Sequence, residues 1–224
     1  MSARDEIFGA IRRSLGVAGD EAPRRATVEA RLAQAPAGIV PRRGQGEPAE
    51  RVATFKAEAA LAQASVAEVA EAADVPAEIA RFLGENHLPA TLRFGEDARL
   101  AAMPWEATGL ELSRGPSDGD DANAASVAFA SVAESGTLAL VSGADNPTTL
   151  SFLPNTHFVV VFAVDVVGDY ESVFTKLRAA HGVGAAPRTV NFITGPSRSA
   201  DIEETLLLGA HGPRRLHIVV VGAP

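Results

Sequence analysis

The chain contains no cysteine. That excludes disulfides, and it excludes thiolate ligation of an iron–sulfur cluster by this chain itself. Aromatic residues are scarce, with one tryptophan and one tyrosine among 224 residues, and alanine is abundant. We read this as a compositional habit, not as the mark of a function. No apolar run approaches the roughly 18 residues that a membrane-spanning helix requires. The N-terminal stretch MSARDEIFGAIRRSLG is mixed in charge and lacks an apolar signal core, so the expected location is cytoplasmic. Positive charge is also in deficit. With 20 Lys and Arg against 28 Asp and Glu, the formal charge of −8 favours neither nucleic acid nor an acidic membrane surface. Metal-binding spacings such as HxH and HExxH are missing, and no internal repeat is visible.

What is present concentrates in residues 189–221, TVNFITGPSRSADIEETLLLGAHGPRRLHIVVV. Residues 189–194 are β-branched and aromatic, as in a buried strand. Gly195 and Pro196 break that strand. Ile202 and Leu206 lie four apart, with Gly209 three further on, which predicts a short helix capped by Ser199 or Asp201. Residues 216–221 form a continuous apolar run, as expected of a parallel strand covered on both faces. The expectation is a strand–helix–strand unit. Its loop of Gly195, Ser197, Arg198, Ser199 and Asp201 would then lie at a strand's carboxyl end, where open α/β sheets bind ligands. A helix N-terminus there offers free N–H groups to a carboxylate or phosphate, and Arg198 can grip an oxyanion with two bonds. The same residues also suit a plain cap, with Asp201 occupying the donors and Arg198 paired to it. Both readings stand at this stage.

Upstream, the chain alternates helices and strands, which points to an α/β layer structure. Residues 3–15 repeat Ile7, Ile11 and Leu15 every four positions, a short amphipathic helix. Residues 17–48 are rich in proline, glycine and arginine and read as an extended arm with at most a short helix near residues 27–34. The compact domain is expected over residues 49–224 and the arm over 1–48. Helices are predicted at 49–63, 76–85 and 168–181, and strands at 65–69, 90–94, 127–133, 138–142 and 158–164. Trp105 is expected to cover the edge of the core. Asp118, Asp120 and Asp121 sit in a turn-rich stretch that lacks the later glutamate of a calcium loop.

Two further places can carry chemistry. Glu134, followed by Ser135, Gly136 and Thr137, sits on a predicted turn between two strands. A carboxylate there can act as base or nucleophile, or the segment can be a simple hairpin corner. His157 and His211 both lie next to turns, and the fold can bring them to one edge as acid–base groups, with no metal expected.

The blocks VAESGTLAL (132–140), SFLPNTHFVVV (151–161), GPSRSADIE (195–203) and GAHGP (209–213) resemble the lactate utilization protein C family (LutC/YkgG), a LUD-domain family. Ser135 stands where that family usually carries threonine. The resemblance implies an open, mostly parallel sheet flanked by helices, similar to the NagB/RpiA/CoA transferase-like fold. It implies a non-redox subunit of a system that converts L-lactate to pyruvate. The iron–sulfur clusters would lie on partner subunits, with no cofactor bound by this chain. The expected ligand is a small carboxylate, held by Gly136, Thr137, Gly195, Ser197, Arg198, Ser199 and Asp201, with Glu134 and His211 as candidate catalytic groups. The N-terminal arm would serve oligomerisation or docking. The alternative is a stand-alone transferase or isomerase of the same fold group, using Glu134.

Overall fold

The computed structural model describes residues 2–34, 37–182, 184–200 and 206–222. Internal contacts divide the chain into two units, Met1–Ile39 and Val40–Pro224. The first contains α1 (Ala3–Leu15) and α2 (Ala22–Gln34). Ser2 caps α1 reciprocally: the Asp5 N–H donates to Ser2 Oγ, and the Ser2 N–H donates to the Asp5 carboxylate. Two otherwise free polar groups at the helix start are thereby satisfied.

The second unit holds α3 (Pro48–Leu61), α4 (Val75–Glu85), the short α5 (Ala98–Ala101) and α6 (Tyr170–His181). Proline at the first position of α3 suits a helix start, where no N–H is needed. Six strands make a wholly parallel sheet: β1 (Ser65–Val69), β2 (Thr91–Phe94), β3 (Glu111–Arg114), β4 (Asn123–Val127), β7 (Thr156–Phe162) and β12 (Arg215–Val221). Their order is β1-β12-β7-β4-β2-β3. A second sheet has the order β8-β5-β6-β9, from β5 (Ala130–Val132), β6 (Thr137–Val141), β8 (Val166–Val167) and β9 (Val190–Ile193). Here β6 is antiparallel to both neighbours. A separate hairpin pairs β10 (Arg198–Ala200) with β11 (Leu206–Leu208).

Burial explains the sequence pattern. Side chains alternate across a strand. In β7 and β12, Val159, Val161, Ile218 and Val220 pack with Phe55 and Ala59 of α3 and Leu138 and Leu140 of β6. The intervening Phe158, Val160, Val219 and Val221 pack with Ile79 and Leu83 of α4, and with Phe94 and Trp105. Both faces are covered, so the runs Phe158 to Phe162 in β7 and Ile218 to Val221 in β12 are apolar without alternation. Trp105 stacks on Phe94 at 5.6 Å and donates its indole N–H to Leu100 O. The second sheet is also layered: Ala139, Ala130 and Val132 turn the other way, onto Val173 and Leu177 of α6. No helix among the described residues is long and apolar enough to cross a membrane.

The mostly parallel, helix-flanked sheet agrees with the expected fold class, but local expectations change: within the arm, residues 22–34 form the full helix α2 where at most a short one near 27–34 was expected. The apolar run 127–133 is not one strand. Ala128 still donates to Val160 O of β7, whereas Phe129 donates to Ala139 O of β6, so the run crosses from one sheet to the other. The expected strand–helix–strand unit is likewise replaced. β9 joins the second sheet, antiparallel to β6, and lies apart from β12. Ser199 and residues 206–208 are strand residues of the hairpin, which is closed at its base by the Gly209 N–H on Ser197 O at 2.9 Å. Leu206 and Gly209 matched a helical spacing, but the cross-strand ladder satisfies these backbone groups instead. Ser199 therefore caps no helix. The expected cap at Asp201 and the helix face at Ile202 lie outside the described residues.

Candidate functional site

Two glycine turns meet at the C-terminal end of α3. Gly136 adopts φ 64° between β5 and β6, and a Cβ there would collide with the Ala59 backbone. Gly195 adopts φ 73° just after β9, and its Cβ would collide with Ala62 O. Both positions demand glycine twice over, by backbone angle and by close approach. Arg198 donates from Nη2 to the same Ala62 O at 3.0 Å, placing a cation on the carbonyl end of the helix.

The turns are joined by hydroxyls. Ser135 Oγ, Thr137 Oγ1 and Tyr170 Oη form a closed ring of hydrogen bonds at 2.8–3.0 Å. Thr137 Oγ1 also bonds Thr194 Oγ1 at 2.6 Å. Every hydroxyl both donates and accepts, so such a cluster can be satisfied internally.

Thr194 leads into a cavity of about 250 Å³. Gly195, Pro196, Ser197 and Arg198 form one side, His211 and Gly212 another. The Ser197 N–H donates to Pro213 O, and the His211 N–H donates to Ser197 Oγ, so the two loops are locked together through backbone groups. His157 and Leu216 also line the cavity. They are the second residues of β7 and β12, so the cavity lies at the amino ends of those parallel strands while following the carboxyl end of β9.

Two buried polar atoms belonging to cavity-lining residues have no partner among the described residues, Ser151 Oγ and His157 Nδ1. His157 is fully buried, and its Nε2 lies 3.0 Å from Ser126 Oγ. Burial lowers its pKa to about 4, so the ring is neutral near pH 7. The Ser126 hydroxyl can donate or accept, which lets Nδ1 present either a lone pair or an N–H. Phe152 and Phe192, each partly exposed, complete the wall with apolar surface.

Of the residues named from the sequence, Gly195, Ser197, Arg198 and His211 come together here with His157. Glu134 does not line this cavity. It is 5% exposed, its N–H donates to Gly168 O, and its Cβ lies beside Gly44. Gly136 and Thr137 stand behind the wall and reach it through Thr194. Ser199 lies in β10, and Asp201 falls outside the described residues. Ser151, Phe152, Thr194 and Tyr170 were not singled out. The SFLPNTH block contains the first two, and only the fold turns its opening serine toward the 195–198 loop. No group of three or more His, Cys, Asp or Glu side chains that could hold a metal occurs among the described residues.

Comparison with known proteins agrees with this architecture. Residues 121–221 match the LUD domain family. Lactate utilization protein C of Geobacillus thermodenitrificans is 36% identical over 146 residues, 60% of this chain and 61% of that protein. Its counterpart in Bacillus subtilis is 32% identical over 158 residues, 64% of this chain and 65% of that one. The counterpart in Anoxybacillus flavithermus is 35% identical over 121 residues, covering 52% of this chain and 51% of the relative. The chain thus spans between half and two thirds of the length of these relatives. A crystal structure of a DUF162 family protein from Deinococcus radiodurans shares the fold, with a TM-score of 0.62 at 24% identity, covering 80% of this chain and all of that one. The LUD domain match thus covers residues 121–221, and over part of its length the chain is similar to lactate utilization protein C.

Proposed function

We propose that this protein is the non-redox subunit of an L-lactate utilization system and that it holds a small carboxylate, L-lactate or pyruvate, in the cavity beside Arg198. The observation that carries this reading is a cation and two buried polar atoms without a partner among the described residues, on the residues around one cavity, in a chain similar to proteins named for lactate utilization. The Arg198 guanidinium faces the carboxylate. This replaces the helix N-terminus first expected, because Ser199 is a strand residue. The 2-hydroxyl or 2-carbonyl meets Ser151 Oγ and His157 Nδ1, which accept or donate as the oxidation state requires. Phe152 and Phe192 cover the methyl group.

His157 orients the ligand without acting as its base, since a ring neutral down to about pH 4 holds a proton too weakly to draw one from an alcohol. Conversion of lactate to pyruvate releases an electron pair and two protons. The electrons pass to iron–sulfur clusters on partner subunits, consistent with a chain that has no thiolate to ligate one. In this reading the protein works in the cytoplasm, and its N-terminal unit serves docking or oligomerisation.

Calorimetric titration of the full chain with L-lactate and pyruvate tests the site. Both should bind, and Arg198→Ala should weaken them by about tenfold or more. Equal affinity in the variant removes Arg198 from the site. Anaerobic affinity capture from cells grown on L-lactate tests the subunit role. Captured partners should carry iron and acid-labile sulfide and reduce a dye with lactate; capture of the chain alone from cells expressing those partners rejects the role.

A further inference from the structure

The carboxyl edge of the parallel sheet carries a second cavity, of about 420 Å³. Counted from β2, the strand order β3-β2-β4-β7-β12 steps outward in one direction to β3 and in the other through β4, β7 and β12. The reversal lies between β2 and β4. Open α/β sheets leave a crevice outside the strand ends at such a reversal. Val127, the last residue of β4, lines this cavity, as does Arg99, five residues beyond the end of β2. The loop 143–147 closes over it. That loop comes so near the end of β2 that a Cβ on Gly95 would collide with the Asp145 carbonyl.

The polar groups are unevenly satisfied. Lys176 donates to Phe129 O at 2.8 Å and pairs with Asp165. Arg99 pairs with Asp97 at 2.7 Å. Both cations therefore have carboxylate partners. The Asn146 Nδ2 donates to Val141 O at 3.1 Å, which fixes the other end of the amide as oxygen. That Oδ1 is buried without a partner among the described residues, on a residue only 5% exposed that lines the cavity. The exposed Asp145 carboxylate has no ion-pair partner among the described residues. Asn146 Oδ1 and the Asp145 carboxylate are thus left as acceptors. Among the lining residues Asp145 and Asp165 balance Arg99 and Lys176, with His181 alongside, and because Arg99 is paired to Asp97 and Lys176 to Asp165, Asp145 is the carboxylate left without an ion pair among the described residues. Val127, Phe129 and Val141 supply apolar wall.

We infer that this cavity binds a small ammonium-bearing molecule with an apolar body. Its N–H donors meet Asn146 Oδ1 and the Asp145 carboxylate, and its carbon frame lies on Val127 and Phe129. The site is distinct from the carboxylate cavity at the opposite edge of β7 and β12 and has the opposite charge preference.

The test is a titration of the full-length, nitrogen-15-labelled protein with n-butylammonium, n-butanol and butyrate, read by amide chemical shifts. Butylammonium should move the Asn146 side-chain amide and the Phe129 and Ser142 backbone amides in a saturable way, with butanol weaker and butyrate inert at these residues. Asp145→Asn, at an exposed position where folding is not at stake, should weaken butylammonium by about tenfold. Equal response to butyrate, an unchanged affinity in Asp145→Asn, or no movement of these amides with butylammonium overturns the inference.

Discussion

The two sheets of the second unit are built to different rules. Every strand pair of the first is parallel, and its central strands β7 and β12 are buried on both faces. The second is mixed, and its β9 is at best half-buried, with Phe192 38% exposed. The hydroxyl ring and the 195–198 loop belong to the second sheet and its connections; the first contributes the floor at His157 and Leu216. Rigid burial and adjustable polar edges are thus divided between two layers, and the first cavity forms where they meet. The sharpest test substitutes one phenylalanine in each. Phe158 is fully buried and packs edge-on against Phe82 at 5.5 Å. Phe158→Ala should cost about 3–5 kcal/mol in urea unfolding. Phe192→Ala should cost about 1 kcal/mol and act mainly on ligand affinity. Similar losses for both, at an unchanged m value, would mean that the second sheet belongs to the same cooperative core as the first.

This division also explains what was legible in the sequence. The apolar runs at 158–164 and 216–221 declared buried strands, because a strand covered on both faces leaves no polar alternation to misread, although the first strand ends at Phe162 and Val164 is exposed. Proline at 76 marked a helix start by simple backbone chemistry. The second sheet was harder to read. Its strands are short, and 127–133 is apolar on both sides of the crossing at Ala128 and Phe129, so composition does not reveal that the chain changes sheets. Leu206, Leu207 and Leu208 satisfy a helical pattern as readily as a hairpin, and the ladder to residues 198–200 is a nonlocal fact. The site was partly visible for the same reason. Gly195, Ser197, Arg198 and His211 stand in punctuated loops, whereas Ser151 gains meaning only from its neighbours in space.

Acid should separate the two layers as well. His157 and His217 both sit in the parallel sheet, and the strands of the second sheet contain no histidine. Burial lowers the pKa of His157 to about 4. It lowers that of His217 too, against the opposing pull of Glu78, whose carboxylate lies 3.1 Å from Nε2. Above about pH 6.5 these rings are neutral whether the chain is folded or not, and they add no pH dependence. Between about 6.5 and 4 the unfolded chain binds the proton that folded His157 refuses. Stability must therefore fall as pH falls, by on the order of 3 kcal/mol for His157 once the pH is below 4. Denaturant unfolding across pH 4–7 should show this slope, and His157→Gln should flatten it. An unchanged slope in the variant would assign the acid sensitivity to other groups.

The smallest expected effect is also the most specific. Ser151 and Ser131 each bury a hydroxyl with no partner among the described residues. Ser151 lines the first cavity, whereas Ser131, in β5, does not. Burying an unmatched hydroxyl is unfavourable, so removing either should leave stability unchanged or raise it by up to about 1 kcal/mol. Their effects on binding should differ. Ser131→Ala should leave carboxylate affinity untouched, while Ser151→Ala should weaken it several-fold if the proposed carboxylate bonds the hydroxyl it removes. Thermal unfolding and calorimetry on the same pair of variants give both numbers. If Ser151→Ala gains stability and keeps full affinity, its hydroxyl is an unmatched core group like that of Ser131. The proposed site would then rest on Arg198 and His157 alone.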